Sequence, residues 1–207
     1  SLYSQSMPTD YYPTILIPAY QPNENLVKLI KALRQARAKQ RIIVVDDGSD
    51  ADKQIIFSKI QHLNVELLQH TKNKGKGQAL KTGFQYWLAT SHPRDLGLVT
   101  ADADGQHLPQ DILHLCDAFM QKPSDLYLGK RTFNKVPIPW RSRIGNKLTK
   151  YILRLFSKTD LEDTQTGLRA IPRKLLPALL SSNATGYEFE LEMILIAEEN
   201  QVLIQEI

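Results

Sequence analysis

The sequence predicts an α/β fold in which a mostly parallel sheet is flanked by helices. Short apolar runs alternate with amphipathic segments of helical length along the 207-residue chain. This alternation is typical of parallel strands joined by helices that cover both faces of the sheet. Ligands bind such sheets beyond the carboxyl ends of the strands, so the loops that follow the strands are the first candidates for a functional site.

The elements follow in order along a single domain of residues 14–207. Residues 1–13 are interpreted as an N-terminal arm or cloning remnant, and residues 201–207 as a strand cut short, which suggests truncation at the C-terminus. Helices are predicted over residues 25–38 and 78–89, where apolar side chains recur at helical spacing. The predicted strands are Thr14–Pro18, Ile42–Val45, Val65–Leu68, Leu96–Thr100 and Leu126–Leu128.

Composition restricts the functional classes only mildly. Hydrophobic residues make up 42% of the chain, and 26 Lys and Arg against 22 Asp and Glu leave a net charge of +4. That excess suits a phosphate-bearing substrate or an anionic membrane surface as well as nucleic acid. The single cysteine, Cys116, excludes a disulfide framework and fits a reducing compartment. No apolar run reaches the roughly 18 to 20 residues that cross a bilayer.

Two acidic loops follow predicted strands. Asp46-Asp47-Gly48-Ser49 closes the second strand, and Asp102-Ala103-Asp104-Gly105 closes the fourth. Hard divalent cations prefer oxygen ligands and keep open positions for phosphate oxygens, so the second loop predicts a metal-bound diphosphate. A solvated polar turn is the alternative for this loop, and a turn with a helix cap is the alternative for the first.

Two basic regions accompany these acids. Lys74 and Lys76 flank Gly75 before a predicted helix, where backbone amides and the helix dipole favour phosphate; a solvated pair of lysines is the alternative. Residues 140–158 place cations every three or four positions beside an apolar face, a pattern that suits a membrane interface. A surface helix packed on its own domain is the alternative for this segment.

The order and spacing of these motifs resemble the inverting family 2 glycosyltransferases, most of all the polyprenyl-phosphate (dolichol-phosphate type) sugar transferases. The series is completed by Ile17-Pro18-Ala19-Tyr20, which closes the first strand, and by the segment 163–169. The resemblance implies a GT-A (Rossmann-like) fold and a Mg2+ or Mn2+ ion. It also implies a nucleotide diphosphate sugar donor, with a UDP-sugar preferred on looser similarity of residues 163–169, a polyprenyl phosphate acceptor, and no nucleic acid.

The implied location is the cytoplasmic face of the cell membrane, reached through residues 140–158. Full-length relatives often add C-terminal membrane helices. Two other functions stay open at this point: transfer to a saccharide hydroxyl, and a non-catalytic module that binds a nucleotide sugar.

The resemblance also assigns site residues. The metal positions are Asp102, Asp104 and Gln106, while His107 belongs to a structural turn. The family often has an acid two residues after the tyrosine, where this chain has Pro22 and carries Glu24 two places later. Glu24 is taken as a donor position, and the start of the first helix is the alternative for Pro22-Asn23-Glu24. The donor positions are Pro18, Ala19, Tyr20, Glu24, Val45, Asp47, Lys74, Asp102 and Ala103.

The acceptor decides which catalytic groups are needed. A lipid phosphate, with a second pKa of about 6, is already ionised and needs cations to place it. A hydroxyl needs a general base, for which Asp163 is the candidate. The resemblance assigns catalysis to Asp104, Arg131 and Asp163, and Glu190 is a further acidic candidate near the acceptor. The acceptor-phosphate positions are Arg131, Arg141, Arg143 and Arg169.

Overall fold

The computed structural model describes residues 12–130 and 166–207. The strands of this part are β1 Thr14–Ala19, β2 Ile42–Asp46, β3 Glu66–Gln69, β4 Gly97–Thr100, β5 Leu126–Leu128, β6 Arg169–Pro172 and β7 Ile204–Glu206. Its helices are α1 Glu24–Ala36, α2 Gln54–Gln61, α3 Lys76–Thr90, α4 Pro109–Gln121, α5 Leu176–Leu180 and α6 Glu188–Glu199. Short 3-10 turns precede α2 at Ala51–Lys53 and α5 at Arg173–Leu175.

The strands form one sheet in the order β3-β2-β1-β4-β6-β5-β7. Strand β6 runs antiparallel to both of its neighbours, β4 and β5. The remaining pairs, including β1 with β2 and β1 with β4, are parallel. The predicted mostly parallel α/β fold is therefore confirmed, and the carboxyl ends of β1, β2 and β4 meet at one edge.

The core lies on both faces of the sheet. Helices α1, α2 and α4 cover one face and contact Ile15 and Ile17 of β1, whereas α3, α5 and α6 cover the other and contact Leu16. Because successive strand residues point to opposite faces, a strand covered on both sides must be apolar at every position. Each fully buried Leu, Ile or Phe side chain contributes about 1.5 to 3 kcal/mol.

Two differences from the sequence prediction bear on the functional site. Strand β6 was not predicted, because the segment from Arg169 to Pro172 contains a charge and a proline and lacks a long apolar run. It forms because its residues pair between two other strands, with Thr100 opposite Arg169. Helix α3 begins at Lys76, two residues before the predicted start, directly after Gly75 with φ +98°.

Several predicted features lie outside the described residues. They are the acceptor and catalytic positions Arg131, Arg141, Arg143 and Asp163 and the membrane segment 140–158. Within the described ranges, every helix is too short or too polar to span a bilayer.

Candidate active site

A cleft of about 550 Å³ opens at the carboxyl ends of β1, β2 and β4. It lies where parallel α/β sheets bind ligands. Residues that were not assigned to the donor or the metal also line it, among them Gln21, Asn73, Lys76 and Tyr187. Predicted site residues that line the cleft are Pro18, Ala19, Tyr20, Asp47, Asp102, Ala103, Asp104, Gln106 and Glu190.

The loop after β1 forms one wall. Tyr20 is 54% exposed, so its ring is available to a ligand. Gln21 follows with φ 51°, a left-handed conformation that is uncommon for a residue with a side chain. Its backbone N–H donates to Ser49 Oγ at 2.9 Å, which ties this loop to the loop after β2. The bond holds the turn that presents Tyr20.

Asp47 organises the loop that leads into α3. Its carboxylate accepts backbone N–H bonds from Lys74 and Gly75, each at 2.9 Å. His70 Nδ1 lies 2.6 Å from Asp47 Oδ1, and His70 Nε2 lies 2.9 Å from Thr82 Oγ1 in α3. Asp47 therefore reaches the cleft as predicted, but most of its hydrogen-bonding capacity shapes the loop.

Asp46 has the role expected of a turn residue. It is buried, and its Oδ1 accepts the backbone N–H of Ser49 at 2.9 Å. This side-chain bond to the backbone three residues further on closes the turn after β2. The turn interpretation of the first acidic loop therefore holds for Asp46.

The two acids after β4 have different environments. Asp102 is held on both carboxylate oxygens, by Lys76 Nζ at 2.6 Å and by His107 Nε2 at 3.0 Å. Burial alone would raise the pKa of Asp102, but the hydrogen bond from His107 and the charge of Lys76 outweigh it and hold the pKa well below its usual range. Asp104 is exposed, and among the described residues its Oδ1 accepts a hydrogen bond only from the backbone N–H of Gln106, at 3.0 Å.

The donor set fits a hard divalent cation that completes its coordination with substrate. Asp102, Asp104 and Gln106 offer two carboxylates and an amide oxygen, and Oδ2 of Asp104 accepts no hydrogen bond from the described residues. Mg2+ is commonly held by one or two carboxylates plus substrate phosphates and water. Across residues 12–130 and 166–207 no three His, Cys, Asp or Glu side chains form a closed metal cage. The site therefore suits an ion shared with a ligand.

Lys76 is the central cation of the cleft. Its Nζ bridges Asp102 and both carboxylate oxygens of Glu190, at 3.0 and 3.1 Å. Burial would lower the pKa of Lys76, but Glu190 and Asp102 outweigh it and raise the pKa. From the sequence, Lys74 and not Lys76 is predicted to bind the donor. Both lysines flank Gly75, so the sequence alone does not show which of them faces the cleft. The structure distinguishes the two lysines: Lys76 is the first residue of α3 and lines the cleft, whereas Lys74 is exposed and does not line it.

Glycine 167 packs directly against Asp102. A Cβ at this position would lie 2.2 Å from Asp102 Oδ1 and 2.3 Å from Oδ2. The Gly167 carbonyl accepts a hydrogen bond from Thr100 Oγ1 at 2.9 Å, which fixes the backbone beside β4. Any side chain at residue 167 would therefore displace the carboxylate. Gly167 lies within the segment 163–169, whose sequence pattern gave this glycine no role.

Arg169 is fully buried in β6, whereas the prediction gave it a contact with acceptor phosphate. Its Nε donates to the Thr166 carbonyl at 2.8 Å, and its Nη1 donates to the backbone carbonyl of Glu190. These bonds tie β6 to the start of α6. The geometry supports a positioning role for Arg169, and direct contact with the acceptor stays a prediction.

Two further residues that were predicted to bind the donor lie outside the cleft. Glu24 forms an ion pair with Lys59 of α2 on the surface. Val45 is fully buried in the core beneath α3, so it supports the strand that carries Asp46 and Asp47. Neither side chain lines the cleft, because one points to the neighbouring helix and the other into the core.

The family model described as "Glycosyl transferase family 2" matches residues 14–180. Among characterised relatives, the UDP-N-acetylglucosamine–dolichyl-phosphate N-acetylglucosaminyltransferase of Methanococcus voltae is 29% identical, over 93% of this chain and 82% of the relative. The polyprenol monophosphomannose synthase of Mycolicibacterium smegmatis is 27% identical, over 93% of this chain and 74% of the relative.

A solved structure shares the fold. The glucosyl-3-phosphoglycerate synthase of Mycobacterium tuberculosis, in complex with Mn2+, UDP and glucosyl-3-phosphoglycerate, superposes with a TM-score of 0.67 at 19% identity. The match covers 93% of this chain and 68% of that one. The likeness shows that the domain has the GT-A fold predicted from the sequence.

Proposed function

The chain belongs to glycosyltransferase family 2, and we propose that it transfers a sugar from a nucleotide diphosphate sugar to a polyprenyl phosphate with the help of Mg2+ or Mn2+. The observation that carries the proposal is that one cleft is lined by Asp102, Asp104, Gln106 and Lys76 and also by the exposed Tyr20. Two relatives whose names specify dolichyl phosphate or polyprenol as acceptor support the choice of acceptor.

The cleft divides the donor between two regions. Pro18, Ala19 and the exposed Tyr20 form the wall for the base and ribose, since an exposed ring offers a stacking surface. Asp104 and Gln106 would hold the ion beside the diphosphate, and Lys76 adds a positive charge on the same side. A divalent ion bound there supplies charge neutralisation for the departing diphosphate.

The chemistry then needs few proton transfers. An oxygen of the acceptor phosphate attacks the anomeric carbon, a new carbon–oxygen bond forms, and the bond to the nucleotide diphosphate breaks with inversion. The attacking phosphate is ionised near neutral pH, so cations rather than a base must place it. Arg131, Arg141 and Arg143 are the proposed cations, and the segment 140–158 is the proposed contact with the cytoplasmic face of the membrane.

The proposal is tested by incubating the protein with radiolabelled UDP-glucose, UDP-N-acetylglucosamine or GDP-mannose, Mn2+ and a detergent-solubilised polyprenyl phosphate. We expect one donor to label the lipid. Asp104→Asn should reduce transfer at least about a hundredfold, because it removes a carboxylate that would hold the ion beside the departing diphosphate. Its fold should persist, since Asp104 is exposed and accepts one side-chain hydrogen bond.

The control variant is Asp111→Asn, which removes an exposed carboxylate from the first turn of α4, outside the cleft. It should transfer sugar like the wild type. Equal loss in both variants, or full activity of Asp104→Asn, would refute the assignment of the site. Labelling of a free saccharide in place of the lipid would refute the proposed acceptor.

A further inference from the structure

The ammonium group of Lys76 lies where a metal ion would compete with it. Its Nζ is 2.6 Å from Asp102 Oδ1 and within 3.1 Å of both Glu190 oxygens. The second oxygen of Asp102 contacts His107 at 3.0 Å. Both oxygens of Asp102 therefore already have a partner, and the ammonium of Lys76 would repel a second cation that binds the same oxygen.

Glu190 gives Lys76 a second anchor when it leaves Asp102. The Glu190 side chain is only 7% exposed, and its backbone carbonyl is held by Arg169. The ring of Tyr187 lies 5.7 Å from the Lys76 ammonium and closes the same side of the cleft. These fixed neighbours keep the charge of Lys76 in the cleft, because an ammonium shielded from water is costly to leave unpaired.

We infer that Lys76 is a resident cation that competes with the divalent ion for Asp102 and moves to the donor diphosphate when nucleotide binds, with Glu190 as its pivot. The inference rests on the proposed function, because it needs a donor diphosphate beside the ion. This movement of Lys76 makes the binding of the diphosphate and of the divalent ion cooperative. The diphosphate draws Lys76 away from Asp102 and so favours binding of the ion, and by linkage the ion favours binding of the diphosphate by the same factor.

The test measures binding of Mn2+ alone, by electron paramagnetic resonance of the free ion, and then of UDP by calorimetry in saturating Mn2+. Lys76→Met keeps the length of the side chain and removes its charge. We expect it to bind Mn2+ alone at least about tenfold more tightly than the wild type, which is about 1.4 kcal/mol. We expect UDP to bind it about tenfold more weakly, because the cation for the diphosphate is gone.

The matched control is Lys72→Met, in the same loop. Lys72 is exposed and does not line the cleft, so the same loss of charge should leave both affinities within about twofold of the wild type. Glu190→Gln is a second variant, for which we expect the affinity for Mn2+ alone to change in the opposite direction. It leaves Asp102 as the carboxylate partner of Lys76 in the cleft, so Mn2+ alone should bind more weakly than to the wild type.

A gain in Mn2+ affinity for Lys76→Met together with a loss for Glu190→Gln would indicate competition between Lys76 and the ion. A general loss of fold would instead weaken the binding of both Mn2+ and UDP in both variants. Wild-type binding of UDP with Mn2+, together with no gain in Mn2+ affinity for Lys76→Met, would overturn the inference and leave the proposed function standing. Absence of UDP and Mn2+ binding to the wild type would overturn both.

Discussion

Replacing Gly167 with alanine should displace the carboxylate of Asp102 and weaken both the fold and the donor site. The new Cβ would lie 2.2 Å from Asp102 Oδ1, where ordinary contacts begin at about 3.4 Å, so the carboxylate must retreat by about 1 Å. Such a movement cannot preserve both the 2.6 Å contact with Lys76 and the 3.0 Å contact with His107.

The magnitude follows from two costs. Overpacking a well-packed site typically costs about 1 to 3 kcal/mol. Loss of a hydrogen bond to a charged group costs about 1.5 to 3 kcal/mol. Because part of each cost is relieved by the movement itself, we expect Gly167→Ala to lower the free energy of unfolding by about 2 to 4 kcal/mol.

Urea unfolding of a double-mutant cycle tests the cause. Asp102→Ala removes the carboxylate with which the new methyl group collides, so Gly167→Ala should cost much less in that background. A coupling energy of about 1 to 3 kcal/mol between the two sites is expected for residues in contact. Additive effects, or wild-type stability and UDP affinity in Gly167→Ala, would refute the steric explanation.

Three further predictions concern the described residues. Burial raises the pKa of the Cys116 thiol to about 12, so thiol reagents should modify it only as fast as the protein unfolds; rapid modification of the native protein would contradict this. The hydrogen bond from Arg41 lowers the pKa of Glu66, so its stabilisation is present above about pH 4.5 and is lost as the pH falls through the folded pKa. The free energy of unfolding of Glu66→Gln, measured with urea, should therefore lie below that of the wild type near neutral pH by less than about 1 kcal/mol, since the pair is partly exposed, and the two should converge in acid. A constant gap would refute the assignment. Asp47→Ala leaves two backbone N–H groups and His70 without their acceptor, so it should weaken UDP binding and lower stability by about 2 to 4 kcal/mol; unchanged UDP affinity would show that this loop does not shape the donor site.

The strands at the centre of the sheet could be predicted because burial on both faces leaves a direct mark on the sequence. Strands β1 and β2 are apolar at nearly every position and begin at their predicted residues, Thr14 and Ile42. The sequence of strand β6, Arg169–Pro172, contains no comparable apolar run. Its place between β4 and β5 depends on pairing with residues nearly 70 positions away along the chain, such as Thr100 with Arg169.

The site divides in the same way. The sequence by itself determined the mostly parallel α/β fold and the loops that carry Tyr20, Asp47, Asp102 and Asp104, because a strand followed by polar residues is a local pattern. Only the tertiary structure decided that Lys76 rather than Lys74 faces the cleft and that Glu190 reaches it from the far end of the chain. A lysine between two carboxylates is a contact between three separate segments, and the direction of a side chain depends on where its helix begins. Both are properties of packing, which no short stretch of sequence contains.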